Sequence, residues 1–88
     1  MELIKLITAT GKSYPVNWAA LSHLDGSLRF EVSSGDFAGL YRVFTDPNET
    51  ETLTRVFDEN ETVFEGYTDL FRIERMPSGI VIGLRRPT

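Results

Sequence analysis

The sequence predicts a mainly β (α+β) domain: a small antiparallel barrel or sandwich of about seven strands with one short helix, in the order β-β-β-α-β-β-β-β. Three observations carry that prediction. Apolar residues alternate at Tyr14, Val16, Trp18 and Ala20, and again at Ile80, Ile82 and Leu84, the period of half-buried strands. Phe37, Leu40, Tyr41 and Phe44 fall at i, i+3, i+4 and i+7, one stripe of a helix. Turn residues, above all Asp25-Gly26, cut the rest into short runs.

Taken in order, Leu3–Ala9 is a strand with apolar residues on both faces, and Thr10-Gly11-Lys12 turns it into the run 14–20. Pro15 has no amide proton to give a ladder, which favours an edge strand or an outward-facing amide at that point. Asp25-Gly26 is the pair a type I′ hairpin prefers, because both central residues need positive φ. Leu28, Phe30 and Val32 then alternate with Arg29, Glu31 and Ser33 in a third strand. Ser34 or Asp36 caps the helix, and Asp46-Pro47 ends it, since a residue before proline is pushed out of the α region. Two hairpins complete the chain, 52–57 with 62–67 across Asp58-Glu59-Asn60-Glu61, and 70–76 with 80–85 across Met76-Pro77-Ser78-Gly79. Nothing in residues 1–88 reads as a repeat or a linker, so one domain is expected.

Composition narrows the function classes. No apolar run approaches the ~20 residues a bilayer crossing needs, so no membrane role is expected. Met1-Glu2-Leu3-Ile4-Lys5-Leu6-Ile7 lacks a basic leader and reads as a strand, which points to cytoplasmic synthesis. The chain has no cysteine, which removes disulfides and thiolate metal sites. Its net charge of −4 repels a phosphate backbone, and no RNP-like or helix-turn-helix pattern offsets this, so nucleic acid is disfavoured as a partner. Asp46, Glu49, Glu51, Asp58, Glu59 and Glu61 are answered locally only by Arg55, whereas Arg72, Arg75, Arg85 and Arg86 lie near the end. On opposite faces these segments let copies meet head to tail; the plain alternative is a solvated surface whose charges screen one another in salt.

The motifs that imitate chemistry fail on inspection. Ala9-Thr10-Gly11-Lys12-Ser13 resembles the end of a phosphate-binding loop, but its first glycine is replaced by Leu6 and extended chain follows instead of a helix. Asp58-Glu59-Asn60-Glu61-Thr62 lacks the glycine and the closing glutamate of a calcium loop, where Val63 and Asp69 stand. His23, the one histidine, sits beside Asp25, Ser22 and Ser27 on a turn, which supplies no oriented base and nucleophile. Glu65, Asp69 and Glu74 show no sign of sharing a dry cleft. The Asn48 and Asn60 glycosylation triplets are chance matches in a chain read as unsecreted. No catalytic, cofactor-binding or metal residue is therefore assigned, and the chain is read as a non-enzyme without a cofactor. The residues offered for interaction are Trp18, Tyr67, Arg72, Arg75, Arg85 and Arg86. Strand spacing places Tyr14 and Trp18 on the face of Val16, which suits a core; an exposed aromatic platform for sugars or bases, with Tyr41 and Tyr67, is the alternative.

The helix Phe37…Leu40…Phe44-Thr45-Asp46-Pro47, the run Phe64-Glu65-Gly66-Tyr67-Thr68-Asp69-Leu70 and the close Gly79-Ile80-Val81-Ile82-Gly83-Leu84-Arg85 together resemble small proteins encoded among phage and prophage genes of Gram-positive bacteria. The resemblance spans residues 28–86 and rests on structural motifs. It implies a structural role in building or accompanying a virion, in the host cytoplasm or in the particle, with protein partners or further copies of the chain. The alternative function is a small carbohydrate- or oligonucleotide-binding domain that uses an aromatic sheet face.

Overall fold

The computed structural model describes residues 4–87; Leu3, expected to open the first strand, lies outside them. The elements are β1 (Ile4–Ile7), β2 (Ser13–Leu21), β3 (Leu28–Val32), α1 (Phe37–Phe44), α2 (Pro47–Thr50), β4 (Thr52–Phe57), β5 (Asn60–Glu65), β6 (Asp69–Met76) and β7 (Gly79–Arg85). All seven strands join one antiparallel sheet in the order β5-β4-β1-β2-β3-β7-β6. The mainly β class and the order of elements are as the sequence predicts, but the sheet does not close into a barrel: β5 and β6 are its two edges.

Those edges are joined by only Gly66, Tyr67 and Thr68. A flat sheet of this many strands would hold its edges about 29 Å apart, while the steps from Glu65 to Asp69 span at most about 15 Å. The sheet must therefore curl. Its concave side gathers Leu6, Val16, Leu28, Phe30, Val32, Leu53, Phe64, Ile82 and Leu84 into one buried core. The helices cover that hollow from the end where β3 finishes. Phe44 on α1 packs edge-on against Phe30 at 5.2 Å and tilted against Tyr14 at 5.5 Å. So short a helix is stable only through such packing, and a ring buried this fully is worth about 3–5 kcal/mol against truncation.

Four local expectations are corrected. Pro15 does not mark an edge, for β2 lies between β1 and β3. Its carbonyl accepts from Ser33 N at 3.1 Å, so its nitrogen faces the same side, past the last β3 residue paired to β2, where no ladder donor is needed. Asp25-Gly26 is not a two-residue turn: only Gly26 has positive φ, and Ser22 N to Ser27 O closes a wider loop. The two-residue turn is instead Asp58-Glu59, with φ of 49° and 69°, which starts β5 two residues early. Finally, Asp46-Pro47 ends one helix and starts another: Asp46 caps α2 by accepting from Asn48 N, and Pro47 takes its first position. Asp46, Pro47 and Glu49 were the readable signal, an N-cap, a first-turn proline and an acid at N3.

Glu59 carries a side chain in the left-handed region, at a cost of about 1–2 kcal/mol, partly offset by the freedom a glycine would regain on unfolding. Glu59→Gly is therefore expected to stabilise the chain by about 0.5–1 kcal/mol, read as a higher urea midpoint with an unchanged slope. An unchanged or lower midpoint would show that the turn carries no such strain.

Candidate functional site

Alternation along β2 breaks at Asn17. Val16 pairs with Val32, but Trp18, not Asn17, pairs with Glu31, so Asn17 is an extra residue in a β-bulge. Everything after it changes face. Tyr14 and Val16 point into the core, whereas Trp18 turns to the convex side and is 39% exposed. The expectation that Tyr14 and Trp18 share a face is thus overturned by one inserted residue.

The bulge is held from below. Glu31 is buried on the convex side, its carboxylate accepting from Asn17 Nδ2 at 2.6 Å and from Ser78 Oγ at 2.9 and 3.0 Å. Asn17 Nδ2 also reaches Ser78 O at 3.2 Å, tying the bulge to the β6–β7 turn. A buried carboxylate is costly unless its oxygens are satisfied, and here neutral donors satisfy them. Gly79 has to follow, because a Cβ there would collide with the Val32 carbonyl.

Register places the rest of this surface. Trp18 faces Glu31, Glu31 faces Val81 and Val81 faces Glu74; one row on, Ala20 faces Arg29, Arg29 faces Gly83 and Gly83 faces Arg72. A second irregularity, at Phe71, lays that ring over Gly83, where a Cβ would meet it at 2.7 Å. Arg29 and Arg85 lie 5.8 and 5.2 Å from the Phe71 ring centre, cation–π distances. Around them Arg72 pairs with Glu74, and Arg85 with Asp69 at 2.9 Å. All four side chains of these two pairs are more than two-fifths exposed, so their pairing adds little to stability.

The six residues singled out from sequence therefore separate. Trp18, Arg72 and Arg85 share the convex face. Tyr67 is buried at the junction of β5 and β6, edge-on to Phe64, with Arg86 stacked 4.9 Å above it and donating to Glu65 O. Arg75 sits apart, 5.7 Å over Phe37 of α1. Arg29 and Phe71 were missed; they belong to the convex face only because β3 and the irregular stretch of β6 carry them there.

Other charged groups serve the scaffold. Arg55 faces the interior side beside Leu6 and donates to Ala19 O at 3.3 Å, leaving the acidic run it seemed to answer. Glu49, buried, is met instead by Lys12 Nζ at 2.8 Å and by the Thr10 hydroxyl. Lys12 and then Thr10 hold its carboxyl below the ordinary value of 4.5. His23 is exposed and makes no hydrogen bond with Ser22, Asp25 or Ser27; Asp25 is engaged by the Ser27 hydroxyl and then its amide, which hold it down at about 2. Among the described residues no three acidic or histidine side chains gather to hold a metal ion, and no helix is long and apolar enough to cross a membrane.

An outward indole predicts red-shifted Trp18 fluorescence that acrylamide quenches in the folded chain; a blue-shifted, unquenched emission would place the ring inside. Because the folded pKa of Glu49 lies below its unfolded value, its contribution is complete above about pH 4.5 and fades as the pH falls through the depressed value. Urea melts at stepped pH should show Glu49→Gln less stable at neutral pH and lacking that part of the acid loss; an acid limb identical to wild type would exclude the Lys12 staple. Compared with known proteins, the chain matches no family model, no curated protein and no solved structure.

Proposed function

We propose that the chain is a non-enzymatic structural and interaction domain that binds another protein across its convex sheet face. Following the resemblance to phage and prophage proteins, its role is in building or accompanying a virion, in the host cytoplasm or in the particle. The observation that carries the reading is Trp18, turned out of the core by a bulge that buried Glu31 pins. A large ring left in water costs burial energy, and bulges recur where a side chain has to be re-aimed. Its neighbours on the same face, Phe71, Arg29, Arg72 and Arg85, are of the residue types that concentrate in protein interfaces. The exposed Arg72–Glu74 and Arg85–Asp69 pairs can exchange their carboxylates for a partner's at small cost.

The non-enzymatic side of the reading is supported by His23, which has neither an orienting group nor a nucleophile within hydrogen-bond reach. The second reading, a carbohydrate or oligonucleotide platform, draws on the same exposed indole. It is weaker because Tyr67 is buried and Tyr14 faces the core, so neither extends the surface around Trp18, and the exposed Tyr41 is carried on α1 rather than on the sheet face.

Differential capture tests the proposal. Wild-type chain on a solid support is expected to retain a protein from host or virion extract that Trp18→Ala binds about 30-fold or more weakly, the loss of one hot-spot residue of about 2 kcal/mol. Identical captures by the two chains would remove the convex face as the interface. Saturable Trp18 quenching by oligosaccharides or oligonucleotides, without any captured protein, would replace it with the platform reading.

A further inference from the structure

The ends of β3 carry two features that nothing above employs. At its start, the loop Ser22–Ser27 presents Leu24, which is 99% exposed and so has almost no contact with its own chain. The loop is nevertheless stiff: Gly26 N bonds Ser22 O at 2.9 Å, Ser22 N bonds Ser27 O at 2.8 Å, and Asp25 accepts from the Ser27 amide and hydroxyl at 3.0 and 2.6 Å. Leu21, half-exposed, ends β2 at the base of the loop, paired with Leu28. A leucine left in water forgoes burial energy, and the hydrogen-bonded turn that carries it gives up loop entropy as well.

Past the other end of β3, the outward side of α1 presents a shallow apolar groove, open to solvent and lined by Phe37, Ala38, Tyr41, Arg42 and Thr45 of that one helix and its C-cap. Tyr41 is 51% exposed there. Arg42 is exposed, and no carboxylate among the described residues lies within ion-pair distance of it. Knob and groove thus lie past the two ends of β3, and their charges match: Asp25, ionised at any ordinary pH and paired within its own chain only with Arg29 in a long, exposed contact of 3.7 Å that a second cation can replace at small cost, adjoins Leu24, and the Arg42 guanidinium adjoins the groove.

We propose that the occupant of the groove is Leu24 of a second copy of this chain, with that copy's Asp25 set against Arg42. This deepens the interaction-domain reading and rests on it, but uses different residues from the convex face. The contact joins two unlike surfaces, so it is heterologous and repeats: each copy that receives a knob still offers its own, giving a ring or a filament according to the rotation between copies. Leu24 desolvates apolar surface at the centre, while Asp25 and Arg42 at the rim fix its orientation.

Two variants test this by sedimentation velocity from micromolar to millimolar chain. Leu24→Asp removes the knob and Ala38→Glu blocks the groove with a charge that repels Asp25; both positions are exposed, so both variants should keep the wild-type melting curve. Wild type is expected to form a concentration-dependent series beyond the dimer, and each variant to weaken it tenfold or more. Mixed together, the variants retain one good knob and one good groove, and should form a one-to-one pair that grows no further. Trp18→Ala, with both ends intact, should assemble as wild type does whether or not the convex face binds a partner. A wild type that stays monomeric throughout, variants that assemble normally, or a mixture that makes no pair would each overturn the proposal; a monomeric wild type would leave the groove to a foreign chain.

Discussion

The three-residue link between the sheet's two edges is the constraint from which the rest follows. Six antiparallel steps separate β5 from β6, so by the parity of the ladder the two run in the same sense. A hairpin cannot join such strands. The chain carries on through Gly66–Thr68, and the sheet coils until the end of β5 meets the start of β6. Coiling divides the surface into a concave side that must be filled and a convex side that no second layer covers. Tyr67 closes the seam from within, and Arg86, stacked over it and bonded to Glu65 O, closes it from without.

On the convex side the polar groups do what a second layer would otherwise do. Glu31 is sheltered by its own neighbours and bound by neutral donors, so its charge is not shared with a cation. Removing either Asn17 or Ser78 would leave a carboxylate oxygen short of a donor in a poorly solvated place, the circumstance in which a hydrogen bond counts most. The bulge is consequently a fixed feature, and Trp18 owes its orientation to residues distant along the chain, Ser78 among them. Phe71 is placed by a different device, an irregularity opposite a residue that has no side chain.

What could be read from the residues were features whose cause is local. The stripe Phe37, Leu40, Phe44 and the Asp36 cap are legible because a helix repeats on itself, and Asp36 does accept from Gly39 N. Alternation at Ile80, Ile82 and Leu84 is legible for the same reason. Asn17 was not, because a bulge looks like uninterrupted alternation until its partner strand is known. The turn assignments erred through residue preference: Asp-Gly suits positive φ better than Asp-Glu, yet it is the register of β4 with β5 that forces Asp58 and Glu59 into it. Arg72 and Arg85 were recognisable by type as interface residues, whereas their company on one face with Arg29 and Phe71 is a property of the pairing. Leu24 is legible as an apolar side chain in a polar turn, but its nearly complete exposure is a property of the folded loop.

The position of β7 bears on how the protein comes into being. This strand follows every other in the chain, yet it lies inside the sheet, between β3 and β6. Until it has emerged from the ribosome, β3 is an open border displaying Leu28, Phe30 and Val32 beside unsatisfied amides, the arrangement most prone to wrong pairing. Its Ile80, Ile82 and Leu84 belong to the same buried core, so the interior is incomplete until β7 takes its place. Pairing of β7 is thus the step that removes this border, and the interval before it is when wrong pairing is most open to the chain.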